Sequence, residues 1–129
     1  GMEKFSGFRR GICTPFYPFD HKNNKEINCV QLPTCLMDWQ MFDYISFSNF
    51  STYQEIIDSL LESINENEGL FNVDFHVRVL NDVAFPGWAD SYSYLLEKIS
   101  NQDFYNSKPS DIANFWVQRK NEIEKHSIN

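Results

Sequence analysis

An apolar stripe between Tyr53 and Ile64 constrains this chain more than any other feature. Tyr53, Ile56, Ile57, Leu60, Leu61 and Ile64 stand at i, i+3, i+4, i+7, i+8 and i+11, which is one face of an α-helix. Ser51 or Thr52 is placed to cap it, with Glu55 completing a capping box to Thr52. Gly69 is placed to stop it. A helix over 52–66 is predicted, and a one-faced helix must bury its stripe against another layer. Short apolar runs of strand length flank it: 34–38 (TCLMD) after Pro33, and 70–75 (LFNVDF), which ends at His76. Strand, helix and strand at this spacing predict parallel pairing.

The rest of the chain continues the alternation. Residues 5–8 (FSGF) and 27–31 (INCVQ) read as strands, and 9–26 as turn-like, with Gly11, Pro15, Pro18 and Asp20-His21-Lys22-Asn23-Asn24. A second helix is predicted over 87–99, with Trp88, Tyr92, Leu95, Leu96 and Ile99 on one face and Pro86 at its start. Residues 103–106 read as a further strand. A last helix over 109–125 begins at Pro109 and turns Ile112, Phe115 and Trp116 inward. The predicted class is α/β with about three helices.

The length of 129 residues fits one domain, taken as 2–129 because Gly1 before Met2 reads as a residue left by tag cleavage. Hydrophobic residues at 42% and charged residues at 22% are ordinary globular usage and argue against disorder. Eighteen acidic against eleven basic residues give a net charge of −7 with no basic run. Such a chain has no electrostatic footprint for nucleic acid or an anionic membrane. No run approaches the roughly 18 apolar residues of a bilayer span, and no charged-then-apolar N-terminus of signal type is present. A soluble protein is expected.

Cys13, Cys29 and Cys35 are odd in number and form no Cys-x-x-Cys pair, so neither a disulfide framework nor a zinc knuckle fits. They are expected to be core or half-buried residues. No His-x-x-x-His, His-x-x-His or Asp-Asp pair occurs, so one chain of this sequence is not expected to build a complete zinc site.

In α/β folds functional side chains gather at the carboxyl ends of strands. That rule selects Arg9 after the first strand, Asp38 at the end of 34–38 and His76 at the end of 70–75. A carboxylate that orients an imidazole and favours its protonated form makes it a competent general acid. Position alone leaves a second reading open, in which each is a capping or solvated residue. His21 and His126 read as surface residues. Aromatic residues make up 16% of the chain, enough for some rings to form a sugar-stacking wall. Trp88 and Trp116 lie on apolar helix faces and read as core. Trp39, beside Asp38, is the better wall residue. The cluster from Pro15 to Phe19, which includes Tyr17, reads equally as a groove or as a packed turn.

Taken in order, these residues resemble the C-terminal half of the NodB-like polysaccharide deacetylases. The ordered set is Gly7-Phe8-Arg9, Thr14-Pro15-Phe16-Tyr17, Met37-Asp38-Trp39 and Phe75-His76. It continues with Phe85-Pro86-Gly87-Trp88, then Lys108-Pro109-Ser110-Asp111-Ile112 ahead of Phe115-Trp116. The resemblance implies half of an irregular β/α barrel and a family that removes acetyl groups from polysaccharides with a divalent metal, often zinc. It implies His76 as general acid, Asp38 as the carboxylate that tunes it and Arg9 as the arginine that holds the catalytic aspartate. It further implies Trp39 as a wall of the site, and Tyr17 is placed with it as substrate-binding. The family's metal-binding Asp and His motifs lie upstream of the matched region and are not in this sequence. Asp74 also stands where the family usually has Leu.

The expectation is therefore a truncated or degenerate deacetylase-like domain, associated with carbohydrate and without independent catalysis. No metal ligands are assigned in this chain, and zinc is expected only in a completed site. Unpaired strand edges of a half barrel need covering, by a second copy or by a complementary N-terminal half. Two alternatives are a true metal-dependent deacetylase completed by an upstream segment or partner chain, and a non-catalytic protein-interaction domain.

Overall fold

The structure, a computed structural model, describes residues 7–8, 11–39 and 50–127. It is a mixed α/β protein with three helices and two small sheets among the described residues. The elements are β1 (Phe19–Asp20), β2 (Lys25–Glu26), β3 (Leu36–Met37), α1 (Phe50–Glu66), β4 (Val73–Asp74), α2 (Trp88–Ser100) and α3 (Pro109–Ser127). A 3-10 turn, Val77–Leu80, follows β4.

The central unit is β3–α1–β4. The strands pair in parallel, Leu36 opposite Val73 and Met37 opposite Asp74. Parallel strands need a long crossover, and α1 supplies it. The backbone contacts spread beyond the ladder. The Gly7 N–H donates to the Cys35 carbonyl at 2.9 Å, and the Cys35 N–H donates to the Asn72 carbonyl at 2.9 Å. Three segments thus lie side by side in the order Gly7, β3, β4. No closed barrel forms among the described residues.

The predicted stripe forms the core. Tyr53, Ile57, Leu60, Leu61 and Ile64 of α1 are all buried, and most of them join Cys35, Leu36, Val79, Trp88 and Leu95 in one cluster. Burying such side chains contributes about 1.5–3 kcal/mol each, which makes this contact the main apolar support of the fold. Helix α2 lies against α1, and its polar rim is tied down as well. Asp58 accepts from the Tyr94 hydroxyl at 2.9 Å and pairs with Lys98 at 3.0 Å. Asn65 Nδ2 donates to Gln102 Oε1 at 2.8 Å.

Several sequence expectations change. Ser51 and Thr52 lie inside α1, which begins at Phe50, so neither caps its start. The left-handed residue that ends α1 is Glu68, with φ 49°, not Gly69. The Gly69 N–H then closes back on the Ile64 carbonyl at 2.9 Å, the 6→1 bond of a Schellman end. Gly69 has a different place in the structure, a tight one: a Cβ there would meet Cys13 Sγ and Ile64 Cδ1, each at 3.0 Å.

The turn-like region holds a hairpin, β1 paired antiparallel with β2. Asp20 closes it by accepting from the Lys22 and Asn23 backbone N–H groups at 3.0 and 3.1 Å. The strand expected at 27–31 reduces to one bridge between Phe16 and Gln31. Residues 103–106 form no strand. Leu96 on α2 is half exposed, as is Phe115 on α3. Cys29 is exposed, against the expectation of burial, while Cys35 is buried. Burial pushes the Cys35 thiol up to about 11. No helix among the described residues is long and apolar enough to cross a membrane.

Candidate functional site

Parallel pairing places the carboxyl ends of β3 and β4 side by side, and the chain continues from each end into a functional side chain. Asp38 follows Met37 directly, and His76 stands two residues beyond Asp74. Asp38 is 1% exposed, yet it is not isolated. One carboxylate oxygen accepts from the Trp39 backbone N–H at 2.6 Å and the other from the His76 backbone N–H at 2.7 Å. The His76 ring completes the set, with Nδ1 at 3.0 and 3.1 Å from the two oxygens. Hydrogen bonds of this number allow a buried carboxylate to remain in place.

A carboxylate only accepts, so the pairing assigns the proton of the ring to Nδ1. Nε2 has no hydrogen-bond partner among the described residues, and the His76 side chain is 45% exposed. The imidazole is therefore held at one nitrogen by a buried group and offered to solvent at the other. That is the arrangement of a group able to accept, donate or transfer a proton at Nε2.

Around His76 lies an open cleft of about 370 Å³, lined by Met37, Trp39, Asp74, His76 and Arg78. Trp39 exposes much of its ring, and the Arg78 guanidinium carbon sits 5.7 Å from the ring centroid, within cation–π range. His76 occupies the N-cap position of the 3-10 turn with extended φ and ψ, and the Val79 N–H donates to its carbonyl at 3.0 Å. The turn carries Arg78 back over Trp39. Past the turn, Asn81 Oδ1 accepts from the Val83 and Ala84 N–H groups, and Asp82 accepts from the Gly87 N–H at 2.9 Å. These side-chain caps hold the loop that leads to α2.

The sequence candidates divide accordingly. Asp38, His76 and Trp39 converge. Arg9 lies outside the described residues. Tyr17 is not among the residues lining the cleft; its ring packs under Lys120 of α3, whose Nζ is 3.9 Å from the ring centroid and also pairs with Glu26. Tyr17 therefore helps seat α3 on the β1–β2 hairpin. Sequence reasoning passed over Arg78. Its signal was a lone cation in the apolar run Val77-Arg78-Val79-Leu80 that follows the strand end. Among the described residues, no three His, Cys, Asp or Glu side chains stand together as metal ligands would.

Compared with family models, curated proteins and solved structures, the chain finds no match. Its fold and site define it as an α/β protein with a carboxylate–imidazole pair at the carboxyl ends of parallel strands.

Proposed function

We propose that this chain is a degenerate polysaccharide deacetylase-like domain, associated with carbohydrate and without deacetylation of its own. The observation that carries the reading is the Asp38–His76 pair. A buried carboxylate orients an exposed imidazole at the strand ends, beside a tryptophan wall. The same pair is what the resemblance to NodB-like deacetylases implies for the proton-donating side of their site. The finer fold reading, half of an irregular β/α barrel, is supported by the parallel β3–α1–β4 unit and by Gly7 lying along β3.

The resemblance also implies a divalent metal. The described residues do not fit one, because no ligand set converges among them. What this chain's own residues do is narrower. Asp38 fixes the tautomer and direction of His76. His76 Nε2 hydrogen-bonds a ligand atom or hands it a proton. Trp39 and Arg78 wall the cleft.

Acetate release and binding by the intact chain test this reading. With N-acetylglucosamine oligomers, with and without added zinc, no acetate is expected, and binding is expected to weaken in His76→Ala. Zinc-dependent acetate release would overturn it in favour of a true deacetylase. Unchanged behaviour in both His76→Ala and Asp38→Ala, apart from stability, would leave a protein-interaction domain. A second copy or a complementary N-terminal half is proposed to cover the open strand edge. Sedimentation at micromolar concentration is expected to show a dimer, and a well-folded monomer counts against a second copy.

A further inference from the structure

The cleft carries a charge pattern that general acid chemistry at His76 does not use. Arg78 lies over Trp39, with the guanidinium carbon 5.7 Å from the ring centroid, a cation–π contact that uses the charge and none of the N–H donors. No carboxylate among the described residues forms an ion pair with it. Asp74 lines the same cleft. As alternate residues of an extended segment, Asp74 and His76 point to one side. The cleft therefore presents a cation beside an aromatic ring, an exposed carboxylate and an outward imidazole nitrogen.

We propose that this cleft binds an acidic sugar of the hexuronate type, with its carboxylate on Arg78 and its ring hydroxyls on Asp74. The inference rests on the carbohydrate-associated reading above and names the substrate class. A planar guanidinium fork matches a carboxylate with two parallel hydrogen bonds. A simple anion such as phosphate would pair with Arg78 alone and bring no ring hydroxyl to Asp74. A neutral sugar uses only part of this pattern. Its hydroxyl oxygens can accept from the guanidinium but bring no counter-charge, so it is expected to bind more weakly. A ligand with both a carboxylate and hydroxyl donors satisfies both ends. The cleft volume of about 370 Å³ lies at the lower end of small-ligand sites, which suits a single acidic ring with part of its neighbour.

Calorimetric titration of the full chain with three probes tests the proposal: trigalacturonic acid, its fully methyl-esterified form and an N-acetylglucosamine trimer. The ester keeps the rings and removes the charges. The free acid is expected to bind at least about tenfold more tightly than the ester. Arg78→Gln is expected to abolish that preference. Asp74→Asn is expected to weaken acid and ester alike. Arg78 and Asp74 are exposed, so both variants are expected to keep the parent's thermal transition, which a melting curve verifies. Equal binding of acid and ester, or an unaltered preference in Arg78→Gln, overturns the proposal. If the N-acetylglucosamine trimer binds in that case, the carbohydrate-associated reading stands. If no probe binds, both fall.

Discussion

Replacing Asp38 with alanine is expected to destabilise the fold far more than replacing His76, although the two side chains touch. Asp38 is 1% exposed and satisfies two backbone donors, Trp39 N–H at 2.6 Å and His76 N–H at 2.7 Å. A hydrogen bond to a charged group contributes about 1.5–3 kcal/mol. Losing two leaves two amides to find water, which they can partly do because the Trp39 and His76 side chains are exposed. The lower end of the range applies, and Asp38→Ala is expected to cost about 3–4 kcal/mol. His76→Ala removes one ring contact from a half-exposed side chain and leaves both backbone donors on the carboxylate. Solvent screening keeps that loss near 1 kcal/mol. The comparison is read from urea unfolding followed by far-ultraviolet circular dichroism at neutral pH, with m unchanged between variants. The double variant is expected to cost less than the sum of the two singles, because both remove the same contact. If His76→Ala costs as much as Asp38→Ala, the carboxylate is not the backbone anchor described here.

Further expectations follow from the packing. Gly69→Ala is expected to cost about 1–3 kcal/mol by overpacking against Cys13 and Ile64, whereas Glu68→Gly, at φ 49°, is expected to gain about 0.5–1 kcal/mol; both are read from thermal or urea unfolding. Leu95→Ala, fully buried, is expected to lose about 2–5 kcal/mol, and Phe115→Ala, half exposed on α3, less than about 1 kcal/mol. In the native protein iodoacetamide at mildly alkaline pH is expected to label Cys29 quickly and spare Cys35, whose thiol is pushed up to about 11 by burial; mass spectrometry of the labelled peptides checks the order. Folded-state values above the ordinary 9.0 for Cys35 and 10.0 for Tyr53, at about 11 and about 12, stabilise the fold fully below those ordinary values. That stability is expected to be lost as pH rises from about 9 toward 12, read as a falling urea midpoint.

Much of this was legible beforehand where one local rule decides the outcome. The stripe from Tyr53 to Ile64 forms the core face of α1 because helical periodicity is a property of neighbouring residues. The parallel pairing of β3 and β4 followed from strand-length runs on either side of that helix. Errors arose where two local rules compete. Asp20, Asn23 and Asn24 read as a turn, and they are one, but the pairs on either side, Phe19–Asp20 and Lys25–Glu26, are too short for a strand pattern to announce itself. Residues 27–31 carry β-forming side chains and lack a long partner segment, so only one bridge forms. Leu96 and Phe115 fit apolar stripes, but a stripe does not say how wide a face the neighbouring element will cover.

Local spacing is enough to show which segments are amphipathic and that a carboxylate and an imidazole follow the two central strands, although the runs 34–38 and 70–75 shorten to Leu36–Met37 and Val73–Asp74. That the two side chains meet is a property of the tertiary fold. Asp38 and His76 are 38 positions apart, and their contact depends on β3 and β4 pairing in parallel with Met37 opposite Asp74. A slip of one residue would turn His76 to the other face. The placing of Arg78 over Trp39 is of the same kind, because it depends on a 3-10 turn folding back across a neighbouring strand end. Side-chain periodicity is set within a few residues, whereas convergence is set by register between segments joined through a whole helix.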